Sequence, residues 1–91
     1  RFRRPTDFIN AMACAANGIL QDNNMSLDML MPLMQQTLDK LKMMPPVLAQ
    51  TGPAVRADKS VMEKHMNALP TAELQELYRM ISAYIMHECR R

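Results

Sequence analysis

Glycine is scarce in this sequence, with only Gly18 and Gly52 among 91 residues. A loop that cradles a pyrophosphate needs the three glycines of a GxGxxG pattern, so this chain cannot bind a dinucleotide by that route on its own. The hydrolase pattern GxSxG, the zinc-protease pattern HExxH and the P-loop are also missing from the sequence. No familiar catalytic signature is therefore present.

Cysteine and charge are limited as well. Cys14 and Cys89 form no CxxC pair and lack the spacing of a metal site, so we interpret them as reduced thiols of a cytoplasmic protein without a metal. No apolar run approaches the roughly 20 residues of a membrane helix. The net charge is +2, from 11 basic and 9 acidic residues, and no basic stripe is present. We therefore expect neither nucleic acid nor a membrane as a partner.

Helical periodicity accounts for most of the chain. We expect a first helix from about Asp7 to Gln21, capped by Thr6. A second helix begins after Ser26, and Pro32 predicts a kink or break near Leu30–Met31 before the MMPP sequence ends the helix at Met44.

Two further helices follow an irregular middle segment. Either Asp58 or Ser60 can cap the third helix, and the fourth runs from Pro70–Thr71 to about Glu88. No strand signal is present. The sequence predicts one all-α domain over residues 1–91: a four-helix, dimerisation-type bundle with an irregular middle segment and a kinked second helix.

The first helix carries an unusually small face. Ala11, Ala15 and Gly18 recur at positions i, i+4 and i+7, which allows another helix to approach closely and predicts a homodimer. Asn10 and Asn17 share a second face, which either lines an interface or cavity or simply faces water.

Methionine supplies much of the apolar volume, with eleven residues. Met31 with Met34, and Met62 with Met66, have spacings that could present thioethers to Cu(I), but flexible core filling explains them better. A Met-rich docking groove is a further alternative.

His65 on the third helix is either a hydrogen-bonded core residue or a titrating catalytic group.

The stretch AQTGPAVRAD interrupts the helices. We expect Pro53 to open a helix whose first N–H groups, together with the Arg56 guanidinium, form an anion-attracting corner. Gln50 and Thr51 add side-chain donors beside it. The alternative is a plain turn in which Arg56 pairs with Asp58 or Glu63.

QTGPAVRAD, followed by VMEKHM, closely resembles a motif in the carboxyl-terminal helical domain of a bacterial family of Rossmann-like oxidoreductases. That family is similar to ketopantoate reductase and pyrroline-5-carboxylate reductase. The resemblance covers roughly residues 8–85 and includes, in order, FIN at Phe8–Asn10, LMPLMQQT at Leu30–Thr37 and LYRMIS at Leu77–Ser82.

The resemblance implies a dimerisation and substrate-cleft domain, with NADP or NAD bound by a Rossmann domain that these residues lack. It implies a small-molecule substrate, with Asn10, Thr51 and His65 as catalytic residues and with Gln50 and Arg56 binding substrate or phosphate. By itself the chain is expected to bind no cofactor and to catalyse no reaction. The alternative from a different class is a non-enzymatic interaction module with a Met-rich docking surface.

Overall fold

The computed structural model describes residues 5–89, and this part of the chain is all-α, as predicted. It contains a 3₁₀ turn and five α-helices, of which four have ten residues or more. The chain divides into two compact units, with the boundary between Met34 and Gln35. The helices are α1 (Thr6–Asp22), α2 (Met31–Met43), α3 (Pro46–Ala49), α4 (Lys59–Ala68) and α5 (Ala72–Glu88), and the 3₁₀ turn is Leu27–Met29.

The first unit contains α1, whose ends differ in how they are capped. The predicted Thr6 cap is wrong: Thr6 is the first helical residue, Pro5 precedes it, and no side chain caps the helix. At the other end Asn24 adopts a left-handed φ of 57°. The Met25 N–H donates to the Leu20 carbonyl at 2.8 Å. This closing bond is that of a Schellman motif, so Asn23 and Asn24 end the helix.

The segment after α1 breaks where Pro32 predicts. The Ser26 hydroxyl accepts a hydrogen bond from the Asp28 N–H at 3.1 Å and starts the 3₁₀ turn. Leu30 is a turn residue that separates the 3₁₀ turn from α2, which starts at Met31. Pro32 therefore lies in a first helical turn, where its missing N–H costs no hydrogen bond.

The irregular middle segment lies in the second unit and holds a short helix that the sequence patterns did not indicate. α3 is followed by Gly52, whose φ of 103° favours glycine. Pro53 opens only one turn, which corrects the expected helix. The Asp58 N–H donates to the Pro53 carbonyl at 2.9 Å, and Ala57 has a φ of 55°, so the turn ends before α4.

α4 packs against α5 in the second unit. Of the two predicted caps, Asp58 is observed, because its carboxylate accepts a hydrogen bond from the Val61 N–H at 3.4 Å. Thr71 caps α5 by accepting from the Leu74 N–H at 3.1 Å. The Gln75 side chain donates to the Met66 carbonyl at 3.0 Å and thereby ties α5 to the carboxyl end of α4.

Burial is slight throughout residues 5–89. Within that range only Ala54, 6% exposed, is a buried apolar residue, and no side chain is fully buried. Large apolar side chains lie in the open on several helices, including Phe8 at 67%, Met43 at 82% and Tyr84 at 63% exposure. Because such surfaces cost free energy in water, they are typical of segments that pack against another protein surface.

Candidate functional site

Gln50 and Thr51, both predicted from QTGPAVRAD, line a cleft of about 370 Å³ in the second unit. We refer to it as the Gln50–Thr51 cleft. Thr37 and Lys40 line it from α2, where their i, i+3 spacing puts them on one helix face. The remaining lining residues are apolar: Leu41, Pro46 and Ala49.

α3 shapes this cleft. Backbone hydrogen bonds to the carbonyls of Pro45 and Pro46 form this short helix. At its end, the Gln50 N–H donates to the Pro46 carbonyl at 3.0 Å. The side-chain amide of Gln50 then donates to the Thr51 carbonyl at 3.1 Å, which holds it beside the next residue. The polar lining residues, Thr37, Lys40, Gln50 and Thr51, all carry side-chain donors, and no Asp or Glu is among them. This set of donors suits an oxygen-rich anionic group.

Sequence reasoning missed Thr37 and Lys40. Their i, i+3 spacing indicates that the two residues share a helix face. The short helix α3, however, was not predicted. Without that turn, nothing in the sequence indicates that α2 lies beside Gln50 and Thr51.

Arg56 lies in the turn before α4 and is exposed. It is not one of the residues that line the Gln50–Thr51 cleft. Within residues 5–89, Arg56 forms no ion pair with Asp58 or Glu63, the pairing that the plain-turn alternative required. The Asp58 carboxylate instead caps α4 and accepts from the Ser60 hydroxyl at 3.3 Å. The Arg56 guanidinium is therefore available to a partner outside this part of the chain.

His65 is exposed on α4 and is not a core residue. Its Nδ1 atom lies 2.8 Å from the Tyr78 hydroxyl oxygen on α5. The two rings meet edge to face, with centroids 5.7 Å apart and an interplanar angle of 85°. The imidazole is therefore both fixed in orientation and open to solvent, which suits a group that exchanges protons.

Asn10 lies on α1 in the first unit, whereas the other four predicted site residues lie in the second. It lines an open groove of about 1050 Å³ together with Cys14, Met31 and Met34. The groove wall is mainly apolar, and Asn10 supplies one of its few polar groups. In the second unit, Gln50 and Thr51 line one cleft, and Arg56 and His65 are not among its lining residues.

Metal ligands and perturbed acids do not mark a further centre. In the described part of the chain no three His, Cys, Asp or Glu side chains cluster as a metal site would require. The Arg79 hydrogen bond and charge lower the pKa of Glu76, and the same contact raises the pKa of Arg79. Both groups are exposed on α5, so this pair is a surface feature.

No helix among residues 5–89 is long and apolar enough to cross a membrane.

Comparisons with known proteins agree with the motif resemblance. The structure is similar to the crystal structure of a putative NADP oxidoreductase from Bacteroides fragilis, with a TM-score of 0.87 and 34% sequence identity. The similarity covers 90% of this chain, and the chain spans only about a third of that protein, 32% of its length. No curated protein matches the chain. Residues 5–85 match the family described as domain of unknown function DUF2520, and the chain therefore belongs to that family.

Proposed function

We propose that this chain is the dimerisation and substrate-cleft domain of an NADP-dependent oxidoreductase whose dinucleotide-binding domain lies outside these 91 residues. The observation that carries the proposal is the match of nearly the whole chain to one third of a putative NADP oxidoreductase. The cofactor would be held by the rest of the parent protein, because this chain has two glycines and no strand among residues 5–89.

Each predicted site residue has a role in this proposal. Thr51 orients the carbonyl or hydroxyl of a small-molecule substrate by a hydrogen bond. Asn10, in the first unit, is a separate candidate for such a contact. Gln50 and Arg56 hold its carboxylate or a phosphate of the cofactor, because a guanidinium forms paired hydrogen bonds with either group. His65, held by Tyr78, exchanges the proton that accompanies hydride transfer.

Dimerisation is supported by the open faces of α1. A Cβ atom added at Gly18 would meet nothing within 4 Å, so the small-residue face Ala11–Ala15–Gly18 has room for another helix. Phe8 and Ile9 on the same helix are 67% and 57% exposed. Burying such side chains in a second copy contributes about 25 cal/mol per Å² of apolar surface.

A non-enzymatic interaction module is the second candidate. Met62, Met66 and Met86 line a groove of about 250 Å³ between α4 and α5, and flexible methionines suit a docking surface. A partner helix could place its apolar face in this groove and make apolar contacts like those inside a protein core. The cytoplasmic location stays a prediction under either candidate.

The two candidates are separated by a cofactor titration on the longest natural chain that carries this domain. The oxidoreductase proposal expects saturable NADPH binding, followed by NADPH oxidation with a carbonyl substrate. It also expects no binding by the 91-residue chain alone. If the longer chain lacks a dinucleotide domain and binds no NADPH, the interaction module is the better explanation.

A further inference from the structure

We infer that the Gln50–Thr51 cleft binds a small oxyanion, a carboxylate or a phosphate group, and that Lys40 is the cation that selects it. The inference rests on the proposed function, since Gln50 and Thr51 belong to the proposed substrate site. It adds a residue that neither the motif nor the family description indicates, and it assigns the chemical class of group that the cleft accepts.

Lys40 is available for this role whereas its neighbour Lys42 is not. Lys42 pairs with the Asp39 carboxylate at 3.6 Å. The same carboxylate oxygen accepts a hydrogen bond from the Gln35 amide at 3.0 Å. Lys40 lines the cleft, and in the described part of the chain no carboxylate lies within ion-pair distance of its ammonium. Its charge is therefore not neutralised locally.

The other polar groups of the cleft complement the ammonium. The amide nitrogen of Gln50 uses one N–H on the Thr51 carbonyl, which leaves its second N–H for a ligand. Thr51 also lines the cleft, and Thr37 lies about one helical turn before Lys40. No acidic residue lines the cleft, so nothing there repels a negative charge.

Apolar residues form the rest of the cleft. Leu41, Pro46 and Ala49 are the remaining lining residues. The volume of about 370 Å³ is near the lower end of the range for small-molecule sites. The cleft therefore accommodates the anionic end of a small molecule.

The position of Lys40 also has a simpler explanation, and a test must distinguish it from anion binding. It lies in the last turn of α2, where a cation interacts favourably with the helix dipole. Lys42 occupies the same last turn and does not line the cleft. Lys42→Ala is therefore the matched control for Lys40→Ala, because both remove a charge from one helix end.

The test is an NMR titration of the ¹⁵N-labelled 91-residue chain with sodium acetate and, separately, with sodium phosphate. Sodium chloride keeps the ionic strength constant. We expect saturable shifts of the backbone amides of Thr37, Lys40, Gln50 and Thr51. Lys40→Ala should weaken this binding by about 10- to 150-fold, the loss typical of one charge-assisted contact. Lys42→Ala should change it less than about twofold, since surface charges contribute little at a distance.

Two further variants protect the test from a folding artefact. Lys40→Met keeps the long apolar stem without the charge, and Lys40→Arg keeps the charge. If circular dichroism shows a loss of helix in Lys40→Ala, the comparison of Lys40→Met with Lys40→Arg decides. Arg should retain binding and Met should lose it.

The inference is overturned if the shifts increase linearly without saturation, or if Lys40 and Lys42 variants respond alike. It is also overturned if the shifts fall on residues outside the cleft. Saturation by acetate but not phosphate assigns the cleft to a substrate carboxylate, and the reverse assigns it to a cofactor phosphate. Because the readout needs no turnover, a failure of the oxidoreductase proposal leaves the anion result intact, and the two failures are distinguishable.

Discussion

The Nδ1 atom of His65 lies 2.8 Å from the hydroxyl oxygen of Tyr78, and this hydrogen bond joins α4 to α5 across 13 residues of sequence. With few side chains buried in residues 5–89, this contact and the Gln75 hydrogen bonds to α4 are the main polar links between the two helices. The pair therefore has a structural role whether or not His65 takes part in catalysis.

Tyr78→Phe removes this hydrogen bond and keeps the edge-to-face ring contact. We expect a loss of about 0.5–1.5 kcal/mol in the free energy of unfolding, the net value of one hydrogen bond. Urea denaturation followed by circular dichroism measures it. Tyr84→Phe is the control, since Tyr84 is 63% exposed on the same helix. Equal stability of the two variants would contradict a structural role of the hydrogen bond.

The two glycines should respond in opposite directions to alanine. Gly52 has a φ of 103°, so Gly52→Ala should strain the backbone and reduce stability by about 1–2 kcal/mol or more. Gly18 is inside α1 with open space around it, so Gly18→Ala should raise stability by up to about 1 kcal/mol through helix propensity. Thermal unfolding of both variants provides the comparison. Stabilisation by Gly52→Ala would show that the turn is not held in this conformation.

How far the sequence predicts this structure depends on whether a signal is local. Ser26, Asp58 and Thr71 cap the residues that follow them, and Pro32 breaks the helix next to itself. Such short-range chemistry is readable from sequence. The short α3 could not be predicted in this way, because four residues carry no periodicity. The cleft that α3 builds with Lys40 was missed for the same reason.

The placement of His65 is a second example. The sequence allowed a core position for His65 on the third helix, but the side chain is exposed. Periodicity identifies which residues share a face. It does not identify how much of that face another element covers, which depends on long-range packing.

The Glu76–Arg79 pair on α5 predicts a pH effect with a definite sign. The Arg79 hydrogen bond and charge lower the Glu76 pKa below its ordinary value of 4.5. The resulting stabilisation is fully present above that ordinary value and is lost as the pH falls through the lowered pKa of the folded state. Arg79→Ala should therefore raise the Glu76 pKa and flatten the stability profile at acidic pH.

An NMR titration of the Glu76 side-chain carboxyl measures this pKa directly. Because both partners are exposed, added salt should reduce the difference. An unchanged Glu76 pKa in Arg79→Ala at low salt would contradict the ion pair.

Gly18→Leu tests the proposed dimer. A leucine on the small-residue face of α1 should block close approach of a second copy. Among residues 5–89, no other part of the chain beyond the adjoining α1 backbone lies within 4 Å of an added Cβ atom. We expect weaker association without loss of helix. Light scattering coupled to gel filtration measures the mass, and circular dichroism checks the fold. A wild-type mass of 10.4 kDa at high micromolar concentration would contradict the dimer for this chain.

Arg56→Ala separates an active-site wall from a plain turn. Arg56 is exposed, and in the described part of the chain it forms no ion pair with Asp58 or Glu63, so the melting temperature should stay close to that of the wild type. In the parent protein, a lost charge-assisted contact should weaken substrate or NADPH binding by about 10- to 150-fold. Isothermal titration calorimetry measures the affinity for NADPH, and steady-state kinetics measure the KM for the substrate. Together they show which of the two ligands Arg56 binds.

Two variants complete this experiment. Arg56→Lys should restore only part of the binding, because an ammonium cannot form the paired hydrogen bonds of a guanidinium. Lys64→Ala removes an exposed cation from α4 and should leave binding unchanged. Arg56→Ala could instead lower the melting temperature and leave the NADPH affinity and the substrate KM unchanged. Arg56 would then only stabilise the turn. QTGPAVRAD would then contribute to function through Gln50 and Thr51 and the cleft that they share with Lys40.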